Sequence, residues 1–206
     1  MRTALPAFLT FLALDPTAAS AHHVNDGQMP ALFVDGFLSG LAHPVIGLDH
    51  LVFILAAGLA AGALGLGLRM PGLFIASSIG GLGLHLTKLN LPMPEVAISV
   101  SILLLGLAIG SRSTVATKIW MALFIVAGVF HGYAYGESIV GAPTAPLIGY
   151  LAGLGLVQCG LASLTYFGGR KLADGVGHAV PEMRHLGALV AVIGFVFCVV
   201  ALRQGA

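Results

Sequence analysis

Long apolar runs alternate with short polar breaks along this chain, a pattern that predicts helices crossing a membrane. Six such runs follow residue 47, each bounded by charged residues, proline or glycine. Each has about the length that crosses ~30 Å of hydrocarbon as a helix. Only helices and closed barrels satisfy their backbone hydrogen bonds in a bilayer, and runs this long and apolar are typical of helices. The predicted spans are Leu48–Leu68, Met70–Leu89, Pro94–Gly110, Thr114–Tyr135, Pro146–Phe167 and His185–Leu202.

The first 21 residues have the pattern of a cleaved signal peptide. Arg2 is positive, Ala4–Leu14 is apolar, and Ala19–Ala21 provides small residues for cleavage. The apolar stretch is shorter than the about 20 residues that a span needs. The alternative is an uncleaved helix with a polar interruption. We therefore expect a signal peptide over residues 1–21 and a single transmembrane domain over residues 22–206.

Residues 31–46 form a shorter and more mixed segment just before the first predicted span. They could form an amphipathic helix at the outer leaflet or a re-entrant segment. Glycines spaced four apart, as in Gly58–Gly62 and Gly149–Gly153, favour tight packing between helices over a ligand-binding loop.

Composition agrees with a polytopic membrane protein of the all-α class. The 206 residues are 58% hydrophobic and only 8% charged, whereas a soluble domain has about 25% charged residues. A chain this apolar cannot cover a surface that faces water. The formal net charge of +1 gives no reason to expect nucleic acid as a partner.

Positive charge predicts the orientation of the spans. With the mature N-terminus outside, six basic residues fall in inner loops and two in outer segments, which agrees with the positive-inside rule. Both mature termini are then periplasmic, in a bacterial inner membrane. The inner residues are Arg69, Arg112, Lys118, Arg170, Lys171 and Arg184, and the outer ones are Lys88 and Arg203.

The segment HPVIGLDH, residues 43–50, concentrates His43, Asp49 and His50 where the first apolar run begins. Ionisable groups at the edge of hydrocarbon are costly, and they usually face a protein interior or an aqueous cavity. Histidine and carboxylate suit divalent ions such as nickel, cobalt or zinc. The simpler interpretation of Asp49 alone is a helix cap, which leaves the two histidines unexplained.

A second polar cluster, FHGYAYGE, ends the fourth predicted span and contains His131 and Glu137. The first span runs inward and the fourth outward, so both clusters should reach the same outer depth. His85, near the outer end of the second span, is a sixth candidate ligand, with a packing role as its alternative. Tyr133 and Tyr135 are expected to anchor the helix at the membrane interface.

The two clusters carry a family resemblance. HPVIGLDH resembles the HPxxGxDH signature of the HupE/UreJ family of nickel permeases, and FHGYAYGE resembles that family's second signature, FHGxA followed by a glutamate. The resemblance extends to a cleaved signal, six spans and a chain of similar length. It implies that the metal-handling residues are His43, Asp49, His50, His131 and Glu137.

From the residues and the resemblance together we expect a permease domain that imports Ni²⁺ or Co²⁺ from the periplasm. Zn²⁺ is a further ion that these ligands accept. We expect no prosthetic group and no enzymatic activity, and as partners a divalent transition-metal ion and the lipid bilayer, without nucleic acid. The alternatives are an intramembrane zinc hydrolase using the same His/Asp cluster, and a metal sensor or partner subunit without transport of its own.

Overall fold

The computed structural model of this protein describes residues 29–111, 115–174 and 179–204, and these residues form helices without a strand. The predicted all-α class is confirmed. The predicted signal peptide, with His22 and His23, lies outside the described residues. The helices are α1 (Phe33–Ile46), α2 (Leu48–Ala63), α3 (Arg69–Leu86), α4 (Pro94–Gly110), α5 (Thr117–Glu137), α6 (Thr144–Asp174) and α7 (Ala179–Gln204).

A helix lies at each of the six predicted spans, but not all have the length and hydropathy of a full crossing. Among the described residues, three helical segments meet both conditions, namely Thr117–Glu137, Thr144–Asp174 and Met183–Gln204. The pair formed by α1 and α2 makes a fourth if it is one broken span. The α4 helix is apolar but shorter. The prediction of six spans is therefore not confirmed by length and composition.

Helices α1 and α2 meet at a sharp bend of 78°. Gly47 separates them in an extended conformation (φ −71°, ψ 98°). Pro44 lies inside the last turn of α1 and has no amide proton to continue the helical hydrogen bonds. Asp35 accepts a hydrogen bond from the Leu32 amide at the start of α1 (3.0 Å). The mixed segment before the first run is thus a helix that is part of a broken span or a re-entrant segment.

Glycines allow α1 and α6 to approach until their backbones touch. A Cβ atom added to Gly40 would overlap the carbonyl oxygen of Tyr150, and one added to Gly153 would overlap that of Phe37. Gly58 of α2 lies equally close to Ala162 of α6. Small residues are the usual means by which helices associate in lipid. The predicted packing role of these glycines is confirmed.

The same contacts give the relative directions of paired helices. Gly128 of α5 lies against Phe74 of α3, and Gly132, one turn later, lies against Ser78. Because both residue numbers rise together, α3 and α5 run parallel.

Helices α4 and α7 run in opposite directions. Gly106 lies against Ala191, whereas Gly110, one turn later, lies against Gly187. Parallel and antiparallel pairs of this kind are the relations expected if successive helices cross a membrane in alternating directions.

Candidate metal-handling site

The bend between α1 and α2 brings His43 and His50 together. In a continuous helix, two residues seven apart lie two turns, or about 10.5 Å, from each other along the axis. Here the ring centroids of His43 and His50 are 5.8 Å apart. Both side chains are buried, each 2% exposed. The break at Gly47 therefore converts an eight-residue motif into a pair of adjacent imidazoles.

His131 joins this pair from α5. Its Nδ1 lies 2.9 Å from Nδ1 of His50, and its Nε2 lies 3.1 Å from the hydroxyl oxygen of Ser101 on α4. The Ser101 hydroxyl donates its single proton to the carbonyl of Ile98 (2.6 Å), so its oxygen accepts from Nε2–H of His131. Nδ1 of His131 then accepts from Nδ1–H of His50.

His43 is held by two hydroxyl groups. Its Nδ1 lies 2.9 Å from the Ser138 hydroxyl and 3.0 Å from the Tyr150 hydroxyl. The Tyr150 hydroxyl donates to the carbonyl of Tyr135 (2.8 Å). That carbonyl lies in the last turn of α5, where carbonyl groups no longer have amide partners within the helix. The end of α5 and the middle of the broken span are thereby fixed to α6.

The ring of Tyr135 packs against both histidines of the broken span. Its centroid lies 4.5 Å from that of His50 and 5.2 Å from that of His43. Tyr135 is fully buried and Tyr133 is 6% exposed. The expectation that these two tyrosines anchor the helix at the membrane interface is therefore wrong, because their rings pack inside the bundle.

Three carboxylates lie beside the histidines. Asp49 is half-buried, and its Oδ1 accepts a hydrogen bond from the amide of the next residue, His50 (2.8 Å). Asp49 is not the helix cap, because the N-cap position of α2 is Gly47 and no side chain caps the helix. Glu95, in the first turn of α4, lies within electrostatic reach of both Asp49 and Glu137. Both glutamates are exposed. The three carboxyl groups thus form a rim that begins at Asp49, next to His50.

Aromatic side chains pack against His131. The rings of Phe53 and Phe74 lie 4.7 Å and 5.4 Å from that of His131. Phe53 also stacks on Phe74 at 4.8 Å. Phe124 and Trp120 continue this buried apolar core. His131 therefore borders a buried aromatic cluster.

His85 does not join the other histidines. Its ring lies 4.4 Å from that of Tyr133, and its Cβ packs against Gly136. Its Nδ1 is buried without a hydrogen-bond partner among the described residues. Elsewhere in the bundle, Gln158 accepts a hydrogen bond from Ser78 of α3 (3.3 Å), a link between helices as expected for a polar residue in a span.

The expected convergence is met by three histidines, but they do not form a closed ligand shell. Within the described ranges, no group of three or more His, Cys, Asp or Glu side chains has the geometry to hold an ion. Both ring nitrogens of His131 are engaged by His50 and Ser101. Side chains would therefore have to move before this cluster could hold an ion.

Sequence reasoning missed the residues that support the histidines. Ser101, Tyr150 and Ser138 bond to imidazole nitrogens across helices, and Glu95 lies near Asp49. Glu95 had a detectable signal, because it is a lone carboxylate at the start of an apolar run. The hydroxyl groups had none, since serine and tyrosine are common in spans.

Gly47→Ala is expected to lower metal uptake by roughly tenfold or more, because displaced ligands are costly. A Cβ at this position would lie 2.6 Å from Cδ2 of His50 and would push the imidazole away. The backbone angles of Gly47 suit alanine, so the effect should come mainly from this contact, with a smaller one from Oδ1 of Asp49 at 3.3 Å. The measurement is initial uptake of ⁶³Ni²⁺ into cells with equal amounts of each variant.

The matched control is Gly80→Ala on α3, where an added Cβ meets nothing within 4 Å. Gly80→Ala should transport at the unmutated rate. Equal rates for Gly47→Ala and the unmutated protein would show that the position of His50 is unimportant for uptake.

Comparison with known proteins identifies the family. The profile described as HupE / UreJ protein matches residues 9–197. Protein HupE from Rhizobium leguminosarum bv. viciae is 34% identical over 184 residues, which cover 84% of this chain and 90% of that protein. No solved structure matches the chain. Since the match extends over nearly the whole length and includes both histidine clusters, the chain belongs to the HupE/UreJ family.

Proposed function

We propose that this protein is an inner-membrane permease that imports Ni²⁺ or Co²⁺ from the periplasm. Its family is one of nickel and cobalt transport proteins accessory to hydrogenase and urease. The observation that carries the proposal is the contact between His43, His50 and His131, three buried imidazoles from three helices. Such polar groups inside an apolar bundle are expensive and mark an ion pathway.

The ion is the substrate, and no prosthetic group takes part in this proposal. Carboxylates Glu95 and Glu137 would attract the hydrated ion to the rim. Asp49 and His50 would then replace part of its water, and His43 would add a second imidazole. Imidazole binds nickel, cobalt and zinc, while the carboxylate adds opposite charge.

His131 supports His50 in this proposal and can reach the ion only by giving up a hydrogen bond. Metal-bound histidines usually donate their other N–H to a fixed partner, which sets the ring orientation. The chain from His50 through His131 to Ser101 supplies such a partner. His85 lies apart, against Tyr133, and we propose no contact between it and the ion at this stage.

An incomplete ligand shell favours transport over storage. A site in a transport path must bind well enough to select an ion and weakly enough to release it. The membrane potential favours inward movement of a divalent cation by about 4 to 5 kcal/mol per 100 mV. In this proposal, release inward requires Phe53 and Phe74 to move, because their rings pack against His131.

The test of the proposal is uptake of ⁶³Ni²⁺ and ⁵⁷Co²⁺ into cells lacking their own transporters, with and without this protein. Saturable uptake of either ion that depends on the protein supports a permease. A zinc hydrolase would instead need three protein ligands and an open position for water. Unchanged metal content, together with hydrolysis of lipid or peptide by the purified protein, would favour that alternative.

We also propose six crossings with both mature termini in the periplasm. The parallel α3 and α5 and the antiparallel α4 and α7 support alternating directions. The excess of basic residues in the proposed inner loops supports the orientation. In this topology Lys88 lies outside, and Asp174, at the end of α6, lies inside.

This topology predicts which cysteines a membrane-impermeant maleimide reaches in intact spheroplasts. In a background with Cys159 and Cys198 replaced by serine, Lys88→Cys should be labelled and Asp174→Cys should not. Both residues are exposed, so access to the aqueous side alone separates them. Detergent permeabilisation is the control that should make both reactive. Labelling of Asp174→Cys before permeabilisation would contradict the proposed orientation.

A further inference from the structure

The hydroxyl group of Tyr135 is a buried polar atom without a hydrogen-bond partner in the described part of the chain. The residue is fully buried. Leaving a buried hydroxyl unbonded costs about 1–3 kcal/mol, and buried polar groups are normally paired. Among the described residues, Tyr135 has the one buried hydroxyl without a partner. Such a group is a candidate to bind a ligand.

The position of Tyr135 indicates what that ligand is. Its ring touches His43 and His50 at 5.2 Å and 4.5 Å between centroids. Asp49 is close enough to interact with it electrostatically. The phenol therefore lies beside the imidazole pair and near the half-buried carboxylate. A cation held by these groups would lie next to Tyr135.

The other tyrosine near these histidines has a different role. The Tyr150 hydroxyl donates to the carbonyl of Tyr135 and lies next to Nδ1 of His43. Its bonding capacity is used to hold protein groups in place. The carbonyl of Tyr135 is thus bonded by α6, whereas the hydroxyl of Tyr135 has no partner among the described residues. Packing alone does not account for a tyrosine at this position, because phenylalanine would fill the same volume.

We propose that the Tyr135 hydroxyl binds a water molecule retained by the divalent cation, and so helps to select the ion. This inference rests on the proposed function. A neutral phenol oxygen can both donate and accept a hydrogen bond, and water on a divalent cation is polarised and donates strongly. His43, Asp49 and His50 fill few positions of a six-coordinate ion, so such an ion keeps several waters near the phenol.

This arrangement should favour ions that remain six-coordinate. Zn²⁺ is usually four-coordinate in proteins and would keep at most one water beside three protein ligands. Loss of the phenol oxygen should therefore weaken transport of Ni²⁺ more than that of Zn²⁺. A ring that serves only as packing would give no such difference, because phenylalanine fills the same volume.

Tyr135→Phe removes one oxygen atom and keeps the ring against both histidines. We expect the half-saturating Ni²⁺ concentration for uptake to rise about fivefold, as for the loss of one hydrogen bond, with a smaller change for Zn²⁺. The visible absorption of Co²⁺ bound to the purified protein in lipid nanodiscs should also shift. The matched control is Tyr133→Phe, which alters a buried tyrosine two residues away that packs on His85.

The outcomes separate the inference from the proposed function. If the unmutated protein neither transports nor binds these ions, the proposed function fails and the inference fails with it. If the unmutated protein transports Ni²⁺ and Tyr135→Phe matches it in half-saturation, ion preference and Co²⁺ spectrum, only the inference is wrong. Equal losses for Ni²⁺ and Zn²⁺ without a spectral change would also overturn it in favour of packing.

A measurement on the unmutated protein decides the question if Tyr135→Phe does not accumulate. Infrared difference spectra on addition of Ni²⁺ should show a shifted tyrosine C–O band, and Tyr133→Phe should show the same shift. The absence of any tyrosine band in a protein that binds Ni²⁺ would contradict the inference.

Discussion

His50→Ala is expected to reduce nickel and cobalt uptake to the level of cells without the protein, and Asp49→Ala should do the same. His50 contacts both His43 and His131, and Asp49 holds the His50 amide. In the proposed mechanism each substitution removes a donor to the ion, and water cannot replace it with equal selectivity. The measurement is ⁶³Ni²⁺ and ⁵⁷Co²⁺ uptake into cells that contain equal amounts of each variant in the membrane.

The matched control is His185→Ala, which removes an exposed histidine near the start of α7. It should leave uptake at the unmutated rate, which would exclude a general effect of losing an imidazole. Uptake of both ions at the unmutated rate by His50→Ala and Asp49→Ala would make the permease mechanism proposed above wrong. Loss of the protein from the membrane would instead assign the two residues to folding, which quantitative immunoblotting detects.

The histidine cluster could be predicted from the sequence because its members stand out against apolar surroundings. An ionisable side chain in such a run must find partners inside the bundle, and His43, His50 and His131 find one another. Opposite directions of the first and fourth predicted spans were enough to bring the two motifs to one depth. Depth alone did not suffice for His85, which faces Tyr133 instead.

Residues that position the cluster could not be predicted, since their roles depend on which helices are neighbours. Ser101 and Tyr150 are ordinary span residues until α4 and α6 are packed against the histidines. Tyr135 was expected at the membrane interface, where tyrosine is common. Its burial depends on the close contacts at the end of α5, which one helix in isolation does not reveal.

Helix ends depart from the apolar runs where local backbone chemistry intervenes. The first predicted span was expected to reach Leu68, but α2 ends at Ala63 because Gly65 and Gly67 adopt positive φ angles. The α6 helix continues beyond its predicted end at Phe167 to Asp174. Gly169 explains part of this extension, since it packs directly on the Leu59 carbonyl of α2. Hydropathy predicts where the chain is apolar, but it does not predict where the helix begins and ends.

Gly153→Ala is expected to destabilise the protein strongly, although it adds a single methyl group. An added Cβ would overlap the Phe37 carbonyl oxygen of α1, and a backbone atom cannot rotate away as a side chain can. Overpacking of this kind costs about 1–3 kcal/mol or more. We expect the apparent melting temperature to fall by roughly 5 °C or more, measured by size-exclusion chromatography after heating in detergent.

Gly155→Ala provides a matched control on the same helix, two residues away. Nothing lies within 4 Å of an added Cβ there, and alanine favours a helix over glycine by about 1 kcal/mol. Gly155→Ala should therefore melt at or slightly above the unmutated temperature. Gly153→Ala should also lower nickel uptake, because α6 carries Tyr150, whose hydroxyl lies 3.0 Å from His43. Identical melting of the two variants would contradict the close contact between α1 and α6 on which the position of His43 depends.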